Sequence, residues 1–343
     1  MKVLFIGGTG TISSAISELV LKEGHELWMI NRGNRPDRLL PGTHLIQADI
    51  SDEAYVARQL TGMQFDVVAD FIAFGPDQIQ RDYRLFRDRT KQYIFISTAT
   101  VYQKPGFHYQ IRESSALCNQ KWDYSRNKLA CEELLRRLYR EEGFPVTIVR
   151  PSHTYGKNNL PNAIQGTGGT YQLVRRMRAG KPVLIHGDGT SLWTLTFNED
   201  FAKGFVGLMG NIHAIGEAVH ITGDEVLTWN QIYGIIADAL GVELKPFYVS
   251  SAFVEAAGYS DLGDRLLSDK AHSLAFDNSK LKTLVPDFCA TTRFDQGVRS
   301  VLQYLDSHPE YQIEDPKFDA WCDHVIEVQL EAQKKMRALY PEE

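Results

Sequence analysis

A phenol and an ammonium group lie four residues apart in the stretch WDYSRNKLACEELLRRL, residues 122–138. The spacing of its leucines predicts an amphipathic helix, so Tyr124 and Lys128 should lie one turn apart on the same side. A free tyrosine has a pKa near ~10 and is a poor base at neutral pH. A lysine cation nearby should lower that pKa, and Tyr124 can then exchange a proton with a secondary alcohol or a ketone.

Hydroxyl side chains end an apolar run that precedes this helix. The segment YIFIST, residues 93–98, predicts a buried strand that ends in Ser97 and Thr98. Open α/β sheets bind ligands at the carboxyl ends of their strands, so we expect Thr98 to hydrogen-bond a substrate oxygen beside Tyr124. The alternative is that Tyr124 packs against neighbouring helices and Lys128 is a surface charge, because Y-x-x-x-K alone often arises by chance.

Glycines follow the first apolar run of the chain. Gly7, Gly8 and Gly10 come directly after KVLFI and before a helical pattern. Such a turn lets the backbone approach a pyrophosphate closely, and the helix N-terminus offers free N–H groups and a favourable dipole. Ser13 stands at the third glycine position of the usual pattern and is small enough for close packing. The turn predicts a dinucleotide cofactor; the alternative is a tight turn without a ligand.

The residues after the second apolar run bear on the type of cofactor. ELWMIN ends in Asn31, and Arg32 and Arg35 follow it. A site that prefers NAD usually carries Asp or Glu here for the ribose 2′-OH. Two arginines and no acid favour NADP over NAD, unless both arginines merely face solvent. Asp49, which ends the run HLIQAD, can accept a hydrogen bond from the adenine amine or can cap the following helix.

Alternating strands and helices are needed to position these groups. Apolar runs predict strands at 2–7, 26–31, 44–49, 66–72, 93–98 and 146–151, and helical patterns cover about 11–23, 52–60, 77–89 and 123–142. This order predicts an α/β fold with a Rossmann-type doubly wound parallel sheet. We place a dinucleotide-binding domain at 1–155. Residues 156–343 should form a smaller C-terminal α/β lobe that mainly binds substrate and is partly interleaved with the first domain.

Composition excludes several other classes. The 343 residues carry a net charge of −6, which gives no general attraction to nucleic acid or to anionic membranes. No apolar run approaches the ~20 residues of a membrane span, and the N-terminus does not resemble a signal peptide. The 4 scattered cysteines and the 10 histidines without ligand spacing predict free thiols, no metal site and a cytoplasmic protein.

Five motifs occur in a fixed order within residues 7–156: GGTGTIS, ADI, STATVY, YSRNK and RPSHTYG. Together they resemble an extended short-chain dehydrogenase/reductase of the NAD-dependent epimerase/dehydratase family. The segment GDGTSLWTLTFNEDFAKG, residues 187–204, extends the resemblance into the second lobe. The resemblance implies catalytic roles for Thr98, Tyr124 and Lys128, with Lys128 also holding the nicotinamide ribose. It further implies cofactor contacts at the pyrophosphate (Gly7, Thr9, Gly10, Thr11, Ile12), the adenine (Asp49, Ile50), the ribose (Ala73) and the nicotinamide end (Pro151, His153).

Departures from the family pattern narrow the chemistry. The 4,6-dehydratases of the family carry Asp-Glu directly after the catalytic threonine, whereas Ala99 and Thr100 stand here and cannot ionise. Trp193 stands where sugar-nucleotide members place an arginine, and an indole can stack on a sugar or simply pack between lobes. His153 replaces a common asparagine. We therefore expect Thr100, His153 and Trp193 to contact a substrate that need not be nucleotide-linked, and we do not expect 4,6-dehydration.

The leading hypothesis is an enzyme that transfers hydride between NAD(P) and a secondary alcohol or ketone of a sugar or sugar-like small molecule. It would act as an epimerase, which TATVY favours, or as a reductase/dehydrogenase, which NADP favours, with Tyr124 as acid–base group. The alternative is a non-catalytic NAD(P)-binding protein on the same fold that binds RNA or senses redox state. The family analogy also implies a homodimer.

Overall fold

The computed structural model describes residues 1–118 and 121–340. The chain forms two compact units, each built from three stretches. The first unit comprises Met1–Gly156, Thr194–Val226 and Leu274–Arg293, and the second comprises Lys157–Trp193, Leu227–Ser273 and Phe294–Glu343. All the site residues predicted from the sequence belong to the first unit, except Trp193.

Strands and helices alternate through the first half of the chain. The strands are β1 (Lys2–Ile6), β2 (Glu26–Asn31), β3 (His44–Gln47), β4 (Val67–Asp70), β5 (Tyr93–Ile96), β6 (Gln110–Ile111), β7 (Val146–Pro151), β8 (His153–Tyr155), β9 (Val183–His186), β10 (Leu192–Phe197), β11 (Ala218–Ile221), β12 (Val226–Thr228), β13 (Pro246–Val249) and β14 (Ala275–Phe276). The helices are α1 (Thr11–Lys22), α2 (Glu53–Gln59), α3 (Pro76–Phe86), α4 (Asp123–Glu142), α5 (Tyr171–Arg178), α6 (Asn198–Leu208), α7 (Trp229–Leu240), α8 (Ser251–Ala256), α9 (Leu262–Arg265), α10 (Ser279–Leu284), α11 (Phe294–Ser307) and α12 (Pro316–Leu339).

A seven-stranded parallel sheet forms the centre of the first unit, in the order β11-β7-β5-β4-β1-β2-β3. The strands run outward from β1 to β3, and the chain then returns to place β4 on the other side of β1. Doubly wound sheets bind ligands at this reversal, in the crevice at the carboxyl ends of the strands. The predicted α/β class and doubly wound parallel sheet are confirmed.

The sheet contains one strand more than the six predicted for the first half of the chain. Strand β11 pairs in parallel with β7, and Ala218 lies opposite Ile148. The seventh strand lies beyond residue 155, in the part of the chain that the sequence pattern assigned mainly to the second lobe. Parallel strands are joined by long crossovers, so distance along the chain does not reveal which sheet a late strand enters.

Helices cover both faces of this sheet. On β1, Leu4 packs in one layer with α2, α3 and α4, whereas its neighbour Val3 packs in the other with α1 and α6. Continuous apolar strands are expected for a sheet that is buried on both sides. Phe95 of β5 and Leu135 of α4 belong to the same layer. Their packing fixes the two elements that carry Thr98 and Tyr124.

The second unit has its own small parallel pair, formed by β9 and β13. Buried polar contacts help to hold its helices, since Tyr233 of α7 donates to Oδ1 of Asn162 at 2.7 Å. Helix α12 is held by ion pairs, among them Arg176 with Asp319 at 2.7 Å. No helix in the described part of the chain combines the length and apolarity that a membrane span requires.

Candidate active site

The glycine turn between β1 and α1 requires glycine at two positions. Gly7 and Gly8 have φ values of +98° and +105°, in the region that side chains disfavour. A Cβ on Gly7 would lie 2.9 Å from Cγ2 of Ile72, and one on Gly8 would lie 2.7 Å from Sδ of Met29. Both distances are shorter than ordinary carbon contacts, so the sequence can place no larger residue here without displacing its neighbours.

The start of α1 suits a bound anion. Oγ of Ser13 accepts the N–H of Gly10 at 2.9 Å, and the Ser13 side chain is buried. Serine at the third glycine position therefore keeps the close packing and also caps the helix. The N–H groups of Thr11 and Ile12 lie in the first turn, where intrahelical acceptors are lacking. These groups and the helix dipole fit a pyrophosphate, so the turn fits a dinucleotide.

Arg38, rather than Arg32 or Arg35, reaches the glycine turn. Its guanidinium donates to the carbonyl of Thr9 at 3.3 Å, because a short 3-10 turn returns the chain towards α1. Arg32 and Arg35 are exposed, and the side chain of Asn31 accepts the N–H two residues further on at 2.9 Å. The residues predicted from the sequence did not include Arg38, although the run RGNRPDR contains it. The spacing of the arginines in this run does not show which of them contacts the glycine turn.

Asp49 shapes the turn that follows β3. Its Oδ1 accepts both the N–H and the hydroxyl of Ser51, at 2.9 and 2.7 Å, and these bonds lower the pKa of Asp49. The helix cap is Asp52, which accepts the N–H of Tyr55 at 3.0 Å. Asp49 therefore does not cap α2. The side chain of Ile50 belongs to the hydrophobic core, so any contact of Ile50 with an adenine would come from its backbone.

The two hydroxyl groups predicted for catalysis meet directly. Thr98 follows β5 and caps a 3-10 turn, and its Oγ1 accepts the N–H of Thr100 at 3.2 Å. Tyr124 lies in the first turn of α4, and its phenol interacts with the Thr98 side chain, which lowers the pKa of the phenol. The Tyr124 ring packs near Trp122 and Phe74, with centroid distances of 4.8 and 6.1 Å. The fold thus brings a strand end and a helix start to one point.

The pKa of Tyr124 differs from the expectation. Burial raises this pKa above its usual value, and the hydrogen bond with Thr98 opposes the rise by less. The neighbouring lysine alone does not offset burial, and the lowering expected from the lysine together with an oxidised nicotinamide stays a prediction. Burial among aromatic rings disfavours a phenolate. A phenol that keeps its proton is suited to donate it to a carbonyl oxygen that is being reduced.

Lys128 is buried and holds two backbone carbonyls. Its Nζ donates to the carbonyl oxygens of Ala73 and Ile96, each at 2.7 Å. The ammonium also lies 4.6 and 4.7 Å from the ring centres of Phe74 and Phe95. Burial lowers the pKa of Lys128 to about 8. An ammonium has three donors, and the third has no partner among the described residues, so it can reach a ribose hydroxyl.

A buried polar network connects with the strand end at Ser97. The Ser97 hydroxyl donates to Glu132 at 2.5 Å, and Arg150 binds both oxygens of Glu132 at 2.9 and 2.5 Å. Arg150 also donates to the phenol oxygen of Tyr102, which contacts Nε2 of His220. Burial, followed by the charge of Arg150, lowers the pKa of His220 to about 3. The sequence analysis missed this network, although Glu132 follows Lys128 by one helical turn.

The other residues predicted around the nicotinamide lie in the same unit. Pro151 ends β7 and is buried, and His153 begins β8, which pairs with β10 opposite Leu195. Thr100 is buried in the turn that Thr98 caps. Their predicted roles toward cofactor and substrate remain predictions.

Trp193 lies in the second unit and is only 4% exposed. Its ring centre lies 5.6 Å from that of Trp229, also in the second unit. Trp193 therefore packs against a residue of its own unit, and a substrate contact by Trp193 remains a prediction.

The model of the NAD-dependent epimerase/dehydratase family matches residues 3–222, which include the glycine turn, Thr98, Tyr124 and Lys128. The chain belongs to this family. The predicted membership is confirmed, and so is the prediction of an NAD(P)-dependent enzyme of the extended short-chain dehydrogenase/reductase type. Family membership does not determine which of the family's reactions the chain catalyses.

Two curated relatives differ in what their names describe. The chain is 27% identical over 254 residues to the chloroplast stem-loop binding protein of 41 kDa b of Arabidopsis thaliana. The aligned region covers 70% of this chain and 63% of that protein. It is 25% identical over 336 residues to an uncharacterized UDP-glucose epimerase, YtcB, of Bacillus subtilis, covering 90% of this chain and 98% of that protein.

Solved structures share the fold over nearly the whole length. The dTDP-glucose 4,6-dehydratase of Bacillus anthracis, in complex with NAD, superposes with a TM-score of 0.73 at 19% identity and covers 91% of this chain and 98% of its own. The likeness supports the doubly wound fold.

Proposed function

We propose that this protein is an NADP-dependent enzyme that transfers hydride at a secondary alcohol or ketone of a sugar-like small molecule. The observation that carries the proposal is the interaction of the Tyr124 phenol with the Thr98 side chain, one helical turn from a buried lysine. This set of groups matches the chemistry of proton exchange at an alcohol or carbonyl oxygen.

Each side chain has a separate task. When bound, the nicotinamide supplies the hydride acceptor or donor. Tyr124 donates a proton to the substrate oxygen in reduction and takes it back in oxidation, and the Thr98 hydroxyl orients the same oxygen. The remaining N–H of Lys128 holds a ribose hydroxyl of the cofactor. Burial of these groups strengthens their electrostatic contacts with the reacting oxygen.

The preference for NADP rests on the residues after β2. Strand β2 ends in an asparagine whose side chain is used within the turn, and the glycine turn is contacted by Arg38. A guanidinium there can pair with a 2′-phosphate, and the strand ends in asparagine followed by arginine rather than in an acidic residue that could hold a 2′-OH. Arg38 replaces Arg32 and Arg35 as the residue to which we assign this selection.

The names of relatives support a sugar-like substrate. One is a UDP-glucose epimerase, and another, 22% identical over 288 residues, is the 2′-dehydrokanamycin reductase of Streptomyces kanamyceticus. The first substrate is nucleotide-linked, and the second reaction is a reduction at an aminoglycoside. Among these two, we favour the reductase because the glycine turn has an arginine that can pair with the 2′-phosphate of NADP.

Cofactor stoichiometry tests this proposal. Keto-sugars and keto-aminoglycosides, with and without a nucleotide, are incubated with the protein and NADPH, and absorbance at the reduced nicotinamide band is followed together with product. One NADPH consumed per product molecule supports a reductase. Product without net NADPH consumption identifies an epimerase, and the absence of product together with absent NADPH binding overturns the proposal.

A second candidate is RNA binding, which the similarity to the chloroplast stem-loop binding protein favours. The net charge of −6 counts against it, because RNA affinity depends on cationic surface. Filter binding of a labelled stem-loop RNA at two salt concentrations distinguishes the candidates. Tight binding that weakens steeply with salt supports this second function, and binding no better than that of serum albumin excludes it.

A further inference from the structure

Asp70 is a buried carboxylate at the end of β4, and it is fully shielded from solvent. Its Oδ1 accepts the N–H groups of Ile72 and Ala73, at 2.6 and 2.9 Å. Two backbone hydrogen bonds to one carboxylate oxygen fix the conformation of residues 71–73. This turn follows the central strand β4, next to the strand that precedes the glycine turn.

The turn that Asp70 fixes presents a carbonyl to Lys128. The oxygen of Ala73 accepts a hydrogen bond from Nζ at 2.7 Å, and the oxygen of Ile96 accepts a second one. The carbonyl of Ala73 lies in the peptide unit between Ala73 and Phe74, one Cα away from the unit whose N–H binds Asp70. The N–H of the same residue is anchored on Asp70, so the carboxylate and the ammonium are connected through a single residue.

We propose that Asp70 is a positioning residue for Lys128: it orients the carbonyl that holds the ammonium, and its negative charge keeps the amine protonated. This inference rests on the proposed function, in which a protonated Lys128 binds the cofactor ribose. Nothing in the sequence pattern marks Asp70, since it ends an apolar run and occupies no position of the five motifs.

The charges around Lys128 favour this assignment. Asp70 is the strongest of the groups that stabilise the ammonium, ahead of Cys131 and Glu132 on α4. On β5, the ring of Phe95 and the carbonyl of Ile96 face Nζ of Lys128. The ring of Phe74, in the loop after β4, faces it as well. Without an anion in this apolar setting, burial would drive the amine further towards its neutral form.

Asp82 on α3 is a second buried carboxyl and provides a matched control. It accepts two hydrogen bonds from Arg81, at 2.8 and 2.7 Å, and one from Tyr93, at 2.7 Å. Arg81 also lies 3.9 Å from Oδ2 of Asp70. Burial and the neighbouring Asp70 raise the pKa of Asp82 well above its usual value. Asp82 is thus bound by Arg81 and Tyr93, whereas Asp70 is the carboxylate that binds the turn at Ala73.

The test compares Asp70→Asn with Asp82→Asn. Asparagine keeps an acceptor oxygen for the turn but removes the charge of Asp70, whereas at position 82 it replaces a carboxyl that binds Arg81 and Tyr93 and has no contact with the turn at Ala73. The pKa of Lys128 is measured in the full-length protein by NMR of ¹⁵N-labelled lysine side chains, with Lys128→Met assigning the resonance. The pH dependence of NADPH binding is measured by calorimetry on the same samples.

We expect the pKa of Lys128 to fall by about one unit or more in D70N, the size of effect that an opposite charge close by exerts. The alkaline limit of NADPH binding should move to lower pH by the same amount. D82N should leave both values where they are in the unaltered protein. An unchanged Lys128 pKa in folded D70N, or an equal shift in D82N, would overturn the assignment.

The NMR readout separates this inference from the proposed function. A shifted Lys128 pKa in a protein that turns over no substrate supports Asp70 and counts against the enzyme proposal. Turnover without a shifted pKa does the reverse. If D70N does not fold, Asp70→Glu keeps the charge but displaces the turn. It should retain the pKa of Lys128 and weaken NADPH binding several-fold, and unaltered NADPH binding would contradict the positioning role.

Discussion

The phenol of Tyr124 at the start of α4 interacts with the side chain of Thr98, which follows β5. Neither element makes this contact by itself, because it depends on the packing of α4 against the sheet. The contact leaves one proton donor and one orienting hydroxyl at the same point, beside a lysine whose remaining N–H can hold a ribose. Five predictions follow from the geometry around this pair.

Tyr124→Phe should lower kcat by a factor of about 10² to 10⁴, the contribution expected of a positioned general acid. NADPH affinity should stay within about two-fold, because the substitution removes only one hydroxyl. Steady-state kinetics and calorimetry measure the two effects. Tyr109→Phe is the matched control, since Tyr109 is 63% exposed and takes no part in the site. Undiminished turnover by Y124F would refute the catalytic assignment.

Thr98→Val should move the pH profile to higher pH in the oxidation direction. The hydrogen bond from Thr98 lowers the pKa of Tyr124, so its removal raises that pKa and the phenolate forms at higher pH. The activity limb that reports phenolate formation then shifts upward. The profile of kcat/KM against pH measures the shift, and Thr98→Ser, which keeps the hydroxyl, should stay near the original curve. A shift to lower pH in T98V would contradict the assigned direction.

Arg38→Gln should reduce the preference for NADPH over NADH by at least about ten-fold, the discrimination that one charged hydrogen bond to a phosphate provides. The comparison variant is Arg32→Gln, because Arg32 is exposed and comes directly after β2. The dissociation constants of both cofactors are measured for each variant. If R32Q rather than R38Q lost the preference, the original sequence-based assignment would be the better one.

Gly8→Ala should abolish cofactor binding. The residue has φ +105°, and a Cβ there would meet Sδ of Met29 at 2.7 Å, so the turn must open. Gly24→Ala is the control, because Gly24 also has positive φ, at +77°, but a Cβ there meets nothing within 4 Å. Both variants carry backbone strain of about 1–2 kcal/mol. Thermal unfolding with and without NADPH separates strain from binding, and retention of NADPH-induced stabilisation in G8A would contradict this role.

Arg150→Met should lower the free energy of unfolding by about 3–5 kcal/mol, because it leaves the fully buried carboxylate of Glu132 without its partner. The double variant Glu132→Leu with Arg150→Met should recover part of the loss, since no buried charge remains. Urea unfolding followed by fluorescence measures both. The exposed pair of Arg84 and Glu53 is the control, and Arg84→Gln should leave stability near that of the unaltered protein. An R150M variant as stable as R84Q would show that the buried pair is dispensable.

Local sequence patterns determined much of the first unit. The helix predicted over residues 123–142 is Asp123–Glu142, and the strand predicted over 26–31 is Glu26–Asn31. Apolar periodicity acts over a few residues, and positive φ favours glycine, so the sequence alone could indicate strands, helices and the cofactor turn. The motif order likewise indicated Thr98, Tyr124 and Lys128.

Only the tertiary structure decided how these groups behave. Arg38 contacts the glycine turn because it lies on a short 3-10 turn that follows β2. No rule of sequence spacing predicts the geometry of that 3-10 turn. Asp70 is joined to Lys128 through Ala73 because two strands and a helix converge there. The pKa of Tyr124 is raised rather than lowered, since burial depends on which rings surround the phenol. Contacts between residues distant in the chain, and the loss of water around them, arise only on folding, and a linear pattern does not encode them one by one.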